Sequence, residues 1–268
     1  MKTIGFVGAG NMACALGGGI ARSPETRFSV KASDPSVEAC RRFERETGGI
    51  SCESLDLLSA DSDVLILAVK PQILPDLLPE IARWNTKDAL LISIAAGISL
   101  AGMQAALGSQ ARVIRAMPNT PALVGRGMTV LVPGSAASAA DLELAESLFA
   151  TAGRVLTAED ESLLDAVTAV SGSGPGFLFA YAEAMIEAGV HAGLSREMTN
   201  TLVQETIAGA AELWRRSDKR ASTLREQVTS PGGTTEAGLD ALANKGLPEA
   251  IDAAIAAATA RSRELSGN

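Results

Sequence analysis

The stretch from Val228 to Thr235 combines hydroxyl side chains with two glycines, and a helical pattern follows it through residue 242. The first backbone N–H groups of a helix lack partners and the helix dipole favours negative charge there, so this loop is suited to hold a carboxylate or a phosphate. An alternative is a turn between two helices, in which Pro231 and the glycines end one helix and the Thr234 hydroxyl caps the next. The local sequence leaves both interpretations open.

A second chemical pattern lies near residue 10. Gly8, Gly10 and Ala13 match G-x-G-x-x-G/A, directly after a predicted strand over residues 3–7 and before a predicted helix over residues 13–22. The first position of this pattern allows a tight turn, the second lets the backbone approach a pyrophosphate, and the third lets the helix pack closely on the strand. The pattern predicts a dinucleotide site. The alternative is a glycine turn without a ligand.

The residues after the second predicted strand, residues 28–32, bear on the choice between NAD and NADP. Asp34 could accept hydrogen bonds from a ribose 2′-hydroxyl, whereas its charge would repel a 2′-phosphate. Ser33 could donate to such a phosphate, and Lys31 or Arg27 could neutralise it. Asp34 could instead cap the following helix. The sequence therefore leaves the choice of cofactor open.

The first half of the chain alternates apolar runs of strand length with helical patterns. Strands are predicted over residues 63–69, 89–94, 111–116, 127–132 and 154–157, and helices over residues 71–83, 99–107 and 139–151. This alternation indicates βαβ units and a parallel sheet. Ligands of such sheets bind beyond the carboxyl ends of the strands, so the residues after those ends should line one crevice: Lys70, Ala95, Ala96 and Asn119. Asn119, between two prolines, could alternatively serve only the turn.

From residue 162 onward the pattern is helical, interrupted at residues 172–176, with predicted helices over residues 177–191, 196–216, 235–244 and 247–264. We therefore predict an α/β chain with a Rossmann-type dinucleotide-binding domain over residues 1–158 and an all-helical domain over residues 159–268. Alanine-rich helices with few aromatic residues need partners on more than one face, which favours a subunit interface in the helical domain. A self-contained bundle is the alternative.

Charge and cysteine use bound the class of function. The chain has 23 basic against 31 acidic residues, a formal charge of −8, so a nucleic-acid partner is not expected. Cys14, Cys40 and Cys52 are odd in number, which predicts reduced thiols rather than a disulfide framework or a metal site. We see no signal-peptide pattern and no apolar run long enough to span a bilayer, so we expect a cytoplasmic protein without membrane contact.

The histidine content limits the chemistry. His191 is the only histidine, and near the end of a predicted helix it is expected to be a cap or surface residue. A protonated C=N bond suits such a chain, because it accepts hydride without a strong external proton donor. β-Hydroxyacid-type dehydrogenases use a lysine on the first long helix of their second domain, whereas residues 171–192 contain no lysine. The alternative from another functional class is a sensor that binds the dinucleotide without catalysing a reaction.

The chain resembles the pyrroline-5-carboxylate reductases nearly from end to end. The resemblance rests on the loop and helix over residues 224–242 and on the motifs FVGAGNMA (6–13), AVKPQ (68–72), SIAAG (93–97), RAMPNTP (115–121), DAVT (165–168) and SGSGP (171–175). It implies reduction of the cyclic imine 1-pyrroline-5-carboxylate to L-proline by NAD(P)H, the last step of proline biosynthesis. It also implies a homodimer through the helical domain, with dimers gathered into a larger ring such as a decamer.

The resemblance also implies roles for individual residues. The substrate carboxylate would sit on Ser230, Gly233, Thr234 and Thr235, and the Thr235 hydroxyl would hydrogen-bond the ring nitrogen as the catalytic contact. Glu161 and Gln227 match positions close to the substrate. No metal is implied, and the cofactor would contact Gly8, Ala9, Gly10, Asn11, Met12, Ser33, Asp34, Ser54, Ala68, Val69, Lys70, Pro71, Ile94, Ala95, Ala96 and Asn119.

Two departures from the family pattern matter. Many relatives carry a small hydroxyl residue where this chain has Asp34. The family implies NADP(H), and Asp34 leaves NAD(H) open as well. Gln227 replaces the asparagine of some relatives, and its role is left open.

Overall fold

The computed structural model describes residues 1–23, 28–85 and 88–266. Its eight strands form one sheet in the order β3-β2-β1-β4-β5-β6-β7-β8. The strands are β1 (Lys2–Val7), β2 (Phe28–Ser33), β3 (Ile50–Ser51), β4 (Val64–Leu67), β5 (Leu90–Ser93), β6 (Val113–Met117), β7 (Gly127–Pro133) and β8 (Gly153–Thr157). The predicted α/β class with a Rossmann-type sheet is confirmed.

One strand pair departs from the predicted parallel sheet. β6 and β7 run antiparallel, whereas the other paired strands are parallel. The connection from Met117 to Gly127 holds only a short 3-10 helix, Thr120–Val124, and a parallel crossover needs about a dozen residues or more. The expectation of an entirely parallel sheet is therefore wrong at this edge.

Helices cover both faces of the sheet. The helices of this part are α1 (Asn11–Arg22), α2 (Val37–Thr47), α3 (Leu55–Asp61), α4 (Leu74–Trp84), α5 (Leu100–Leu107), α6 (Ala139–Ala150) and α7 (Leu163–Val167). Phe6, Leu16 and Ile66 lie in the core on one face, and Leu67 and Leu78 lie in the core on the other. Burial on both faces explains why the strands are continuous apolar runs.

The rest of the chain is helical: α8 (Gly174–His191), α9 (Arg196–Arg216), α10 (Ala221–Gln227), α11 (Thr234–Asn244) and α12 (Leu247–Ser266). α8 and α9 pack together closely, because a Cβ on Gly189 would overlap the Thr199 side chain. Contacts divide the chain into two compact units. One comprises Met1–Ser173 and the residues from Ala258 onward, and the other comprises Gly174–Ala257.

The predicted interruption at residues 172–176 is wrong. A π-helical turn, Thr168–Gly172, continues α7, and α8 follows from Gly174 because Pro175 is tolerated in the first turn of a helix. Leu163–His191 is consequently one helical segment that is long and apolar enough to cross a membrane, by length and composition only. The expectation of no apolar run long enough to span a bilayer is therefore wrong, because the small residues at 172–176 do not interrupt the helix.

Candidate active site

The glycine motif forms a tight turn between β1 and α1. Gly8 has φ +99°, its N–H donates to the Ser33 carbonyl oxygen at 2.8 Å, and a Cβ there would lie 2.8 Å from the Ala68 carbonyl oxygen. Gly10 is the N-cap of α1, and no side chain caps this helix. A Cβ on Gly10 would meet nothing within 4 Å. The turn therefore leaves open space beside the first-turn N–H groups of α1, which fits the pyrophosphate of a dinucleotide.

The other predicted cofactor residues follow neighbouring strand ends. β1, β4, β5 and β6 are adjacent and parallel, and they end at Val7, Leu67, Ser93 and Met117. The Ala68 N–H donates to the Val7 carbonyl oxygen at 2.8 Å, so the residues after β4 lie beside the glycine turn. The structure thus places the predicted cofactor residues 8–12, 68–71 and 94–96 together, beyond the carboxyl ends of neighbouring strands.

Asp34 is bound to the glycine turn. One carboxylate oxygen accepts from the Ala9 N–H at 2.9 Å, and the other accepts from the Ser36 N–H at 2.8 Å. The N-cap of α2 is Ser36, whose hydroxyl accepts from the Ala39 N–H, so the interpretation of Asp34 as the helix cap is wrong. The Asp34 charge lies where the ribose of a dinucleotide is expected.

Two basic residues, Lys31 and Arg27, were considered as partners of a 2′-phosphate. The Lys31 ammonium bonds to the Asp61 carboxylate at 2.6 Å, and this contact raises the pKa of Lys31. Arg27 lies outside the described residues. Ser54 is the N-cap residue of α3, and its hydrogen bond to the Asp56 carboxylate lowers the pKa of Asp56.

A basic residue that was not predicted, Arg42, contacts Ala9, the residue that also donates to Asp34. Arg42 on α2 donates from Nη2 to the Ala9 carbonyl oxygen at 3.3 Å, and its Nε is buried without a hydrogen-bond partner. Arg42 also lines a cavity of about 330 Å³ with Ser36, Glu38, Ala39 and Arg45. The bounds of α2 were not predicted, so this arginine could not be placed on a helix. The sequence signal for this basic cavity was the spacing of Arg42 and Arg45, which places both on one side of a helix.

The Asn119 amide is used inside the protein. Its Nδ2 donates to the carbonyl and hydroxyl oxygens of Ser171, each at 3.2 Å, and its Oδ1 accepts from the Met128 N–H at 2.8 Å. These contacts agree with the structural-turn interpretation. A cofactor contact of Asn119 stays a prediction.

Glu161 is part of a network that the sequence analysis did not foresee. Its Oε1 accepts from the Arg115 guanidinium at 2.5 Å and from the Leu100 N–H, in the first turn of α5, at 2.7 Å. Arg115 lies on β6 and is only 8 % exposed. A buried guanidinium needs such a partner, because an unpaired charge in the protein interior is costly. Glu161 lies in the same compact unit as the cofactor group.

The remaining predicted substrate residues lie in the other compact unit, around the start of α11. Gly233 is the N-cap, and no side chain caps the helix, so the interpretation of Thr234 as a capping residue is wrong. Gly232, at φ +70°, donates its N–H to the Glu236 carboxylate at 2.6 Å. The exposed Thr234 and Thr235 begin the helix, which leaves first-turn N–H groups and two hydroxyls for an anion.

Metal chemistry finds no support in the part of the chain that the structure describes. No group of three or more His, Cys, Asp or Glu side chains there could hold a metal ion. Cys14, Cys40 and Cys52 are free, and burial raises the pKa of each thiol. His191 is the last residue of α8 and is exposed.

Comparison with known proteins gives one family match that includes the glycine turn and another that includes the start of α11. The profile of pyrroline-5-carboxylate reductase dimerisation matches residues 161–265, and that of NADP oxidoreductase, coenzyme F420-dependent, matches residues 3–97. The pyrroline-5-carboxylate reductase of Pseudomonas aeruginosa is 41 % identical, over 98 % of this chain and 96 % of the relative. The chain belongs to the pyrroline-5-carboxylate reductase family. The enzyme of that name from Pisum sativum is also 41 % identical, with the same two coverages.

Solved structures of this reductase family have the same fold. A pyrroline-5-carboxylate reductase from Coxiella burnetii superposes with a TM-score of 0.92 at 32 % identity, covering 99 % of this chain and 98 % of that one. The Plasmodium falciparum pyrroline carboxylate reductase with NADP bound gives 0.87 at 30 % identity and the same coverages. The recognised family and the predicted order of a Rossmann-like sheet and a helical dimerisation region are thereby confirmed.

Proposed function

We propose that this protein is an oxidoreductase that reduces 1-pyrroline-5-carboxylate to L-proline with NADPH, the last step of proline biosynthesis. The observation that carries the proposal is the similarity to pyrroline-5-carboxylate reductases over 98 % of the chain. The site residues supply the two things this reaction needs. A dinucleotide cradle lies at the sheet edge, and an uncapped helix start rich in hydroxyls lies at α11.

The cofactor residues divide by the part of the dinucleotide that each would hold. The turn at residues 8–12 would hold the pyrophosphate, and Ser33, Asp34 and Ser54 would lie beside the adenosine ribose. Residues 68–71 and 94–96, with Asn119, would line the nicotinamide end. When bound, the nicotinamide ring supplies the hydride. The chain's own contribution is positioning, which can account for a large part of a rate enhancement.

The substrate residues would fix the imine through its carboxylate. The first-turn N–H groups of α11, with Ser230, Gly233 and Thr234, would bind the carboxylate at the positive end of the helix dipole. The Thr235 hydroxyl would hold the ring nitrogen, and the family resemblance implies Glu161 and Gln227 as further substrate residues. The nitrogen of a protonated imine already carries its proton, so hydride addition needs no separate acid. This is consistent with a chain whose only histidine ends α8.

The helical region, residues 159–268, would be the homodimerisation domain. α8 has no buried residue in the single chain, and Leu178 and Phe179 of α8 with Met198 and Leu202 of α9 are exposed. α8 and α9 also line a cavity of about 1310 Å³. A second copy would cover this apolar surface, and larger rings such as a decamer would be built from dimers. The same cover would account for the apolar segment Leu163–His191 without a membrane.

We extend the proposal to location. The enzymes of this family act on small molecules, and the chain carries a formal charge of −8. A cytoplasmic enzyme without nucleic-acid or membrane partners fits that charge. Recovery of the enzyme in the membrane pellet after cell lysis would contradict this assignment.

The test is an absorbance assay at the nicotinamide band with 1-pyrroline-5-carboxylate, comparing NADPH with NADH in the wild type and in Asp34→Ser. We expect turnover with both cofactors, and a preference for NADPH that rises about 10-fold in Asp34→Ser because a carboxylate repels the 2′-phosphate. An unchanged preference would leave Asp34 only its structural contacts with the Ala9 and Ser36 N–H groups. Cofactor oxidation by neither protein would overturn the reductase assignment and favour the sensor hypothesis.

A further inference from the structure

The loop between β5 and α5, residues 94–99, is held at both ends by the protein. At its start, the Ile94 N–H donates to the Leu67 carbonyl oxygen at 3.2 Å, which ties the loop to the end of β4. Just beyond its other end, the Leu100 N–H donates to Glu161 at 2.7 Å. This loop carries Ile94, Ala95 and Ala96, three of the proposed cofactor residues. Its middle is held by neither of these anchors.

The middle of the loop packs against the end of α12. Gly97 has φ +77°, a conformation that favours glycine, and a Cβ there would lie 2.8 Å from the carbonyl oxygen of Leu265. The backbone of Gly97 therefore contacts the last turn of α12 directly. We call Ser262–Leu265 the terminal turn. It belongs to the same compact unit as the loop, although it lies far away in sequence.

A hydrogen bond fastens the terminal turn to α7. The Ser262 hydroxyl donates to Asp165 Oδ1 at 2.6 Å, and Ser262 is only 6 % exposed. Asp165 lies one helical turn beyond Glu161, the residue that anchors the loop at Leu100. One short segment of the chain, residues 161–165, thus anchors both Leu100 and the terminal turn that covers Gly97.

We propose that the terminal turn is a positioning element for the cofactor, with Ser262 and Asp165 as positioning residues that hold it against Gly97. This inference rests on the proposed function, in which residues 94–96 contact the cofactor. Loss of the Ser262 bond would release the turn from Gly97 and let the loop relax. The cofactor would then bind a loop that must first be ordered, so its affinity would fall while the α11 site stays intact.

The experiment measures the NADPH dissociation constant of the assembled enzyme by nicotinamide fluorescence, together with the KM for the imine. Ser262→Ala should weaken NADPH binding about 3-fold to 10-fold, as expected for the loss of one hydrogen bond of ordinary strength, with the imine KM nearly unchanged. Gly97→Ala should weaken it at least as much. Asp165→Asn should behave like the wild type, because its amide oxygen can still accept from Ser262. Glu264→Ala, which removes only the exposed ion pair with Arg261, is the matched control.

The outcomes separate this inference from the function on which it rests. NADPH affinity that falls in Ser262→Ala and Gly97→Ala but not in Asp165→Asn or Glu264→Ala supports the positioning role. Equal NADPH affinity in all folded variants overturns it, even if their melting temperatures differ, and leaves the proposed function intact. Failure of the wild type to bind NADPH overturns both. Normal NADPH binding without imine reduction overturns only the substrate assignment.

Discussion

The two compact units of the chain bury their apolar side chains to very different degrees. In the sheet unit, Leu65, Ile66 and Leu67 of β4 are completely buried, and the glycine turn packs against the end of β4. In the helical unit, α8 has no buried residue, and Phe179 is 71 % exposed. Both units are rich in apolar residues, so composition alone does not separate them. The sheet unit therefore completes its own core, whereas the apolar surface of the helical unit needs cover by a second copy.

The largest expected effect comes from a charge on the exposed apolar surface of α8. Phe179→Asp should weaken the dimer by at least about 30-fold, because a central interface aromatic contributes about 2 kcal/mol or more. Sedimentation equilibrium measures the dissociation constant. Leu156→Asp is the matched control, since Leu156 is 59 % exposed but lies on β8 of the sheet unit. Equal association of the two variants would contradict the contrast between the units.

The next effect concerns the anion site of the helical unit. Thr235→Ala should lower kcat/KM for the imine by about 10-fold to 100-fold, because one charge-assisted contact is lost. NADPH affinity should stay near that of the wild type, since Thr235 is not one of the cofactor residues. Thr235→Ser keeps the hydroxyl and should recover most of the activity. Steady-state kinetics with an unchanged kcat/KM in Thr235→Ala would remove this residue from the mechanism.

The glycine turn allows a comparison within the sheet unit. Gly10→Ala should weaken NADPH binding about 10-fold, because the added methyl group would occupy the space left for the pyrophosphate. The methyl group would meet no protein atom within 4 Å. Thermal unfolding without cofactor should therefore match the wild type. Gly8→Ala should lower stability by about 1–3 kcal/mol, because Gly8 has a positive φ and touches Ala68. Equal NADPH affinity in Gly10→Ala would contradict the assigned cradle.

The smallest effect tests how the sheet unit is held together. Asp141, in the first turn of α6, is buried, but bonds from Ser138 and the Arg112 charge hold its pKa below the ordinary range. A depressed pKa stabilises the fold above the unfolded value near 3.8, and this contribution is lost as pH falls through the folded pKa. Asp141→Asn should therefore cost about 1 kcal/mol at pH 7, with the difference vanishing in acid. Urea unfolding across pH measures it, and a pH-independent difference would contradict the argument.

The sequence predicts what local pattern encodes. Apolar runs located β4, β5 and β6, and the glycine spacing located the turn before α1. The bounds of α2 were not predicted, because its exposed face is strongly polar and only Phe43 and Thr47 are buried. The helical continuation through residues 172–176 was missed because small residues resemble a loop.

Contacts between distant residues were beyond prediction from the sequence. The Arg115–Glu161 pair joins β6 to the segment before α7, and the Ser262–Asp165 bond joins residues 97 positions apart. Neither pair has a spacing that local periodicity can reveal. The uncapped start of α11 is different, because its glycines and hydroxyls pointed to an anion site in the sequence itself.

Product analysis tests the reductase function directly. The wild-type enzyme is incubated with 1-pyrroline-5-carboxylate and limiting NADPH, and L-proline is quantified by chiral chromatography against the NADPH oxidised. We expect equal amounts of L-proline formed and NADPH consumed, with both falling in parallel in Thr235→Ala under initial-rate conditions. NADPH that binds without formation of L-proline would overturn the reductase function, as would NADPH consumption that does not depend on the imine.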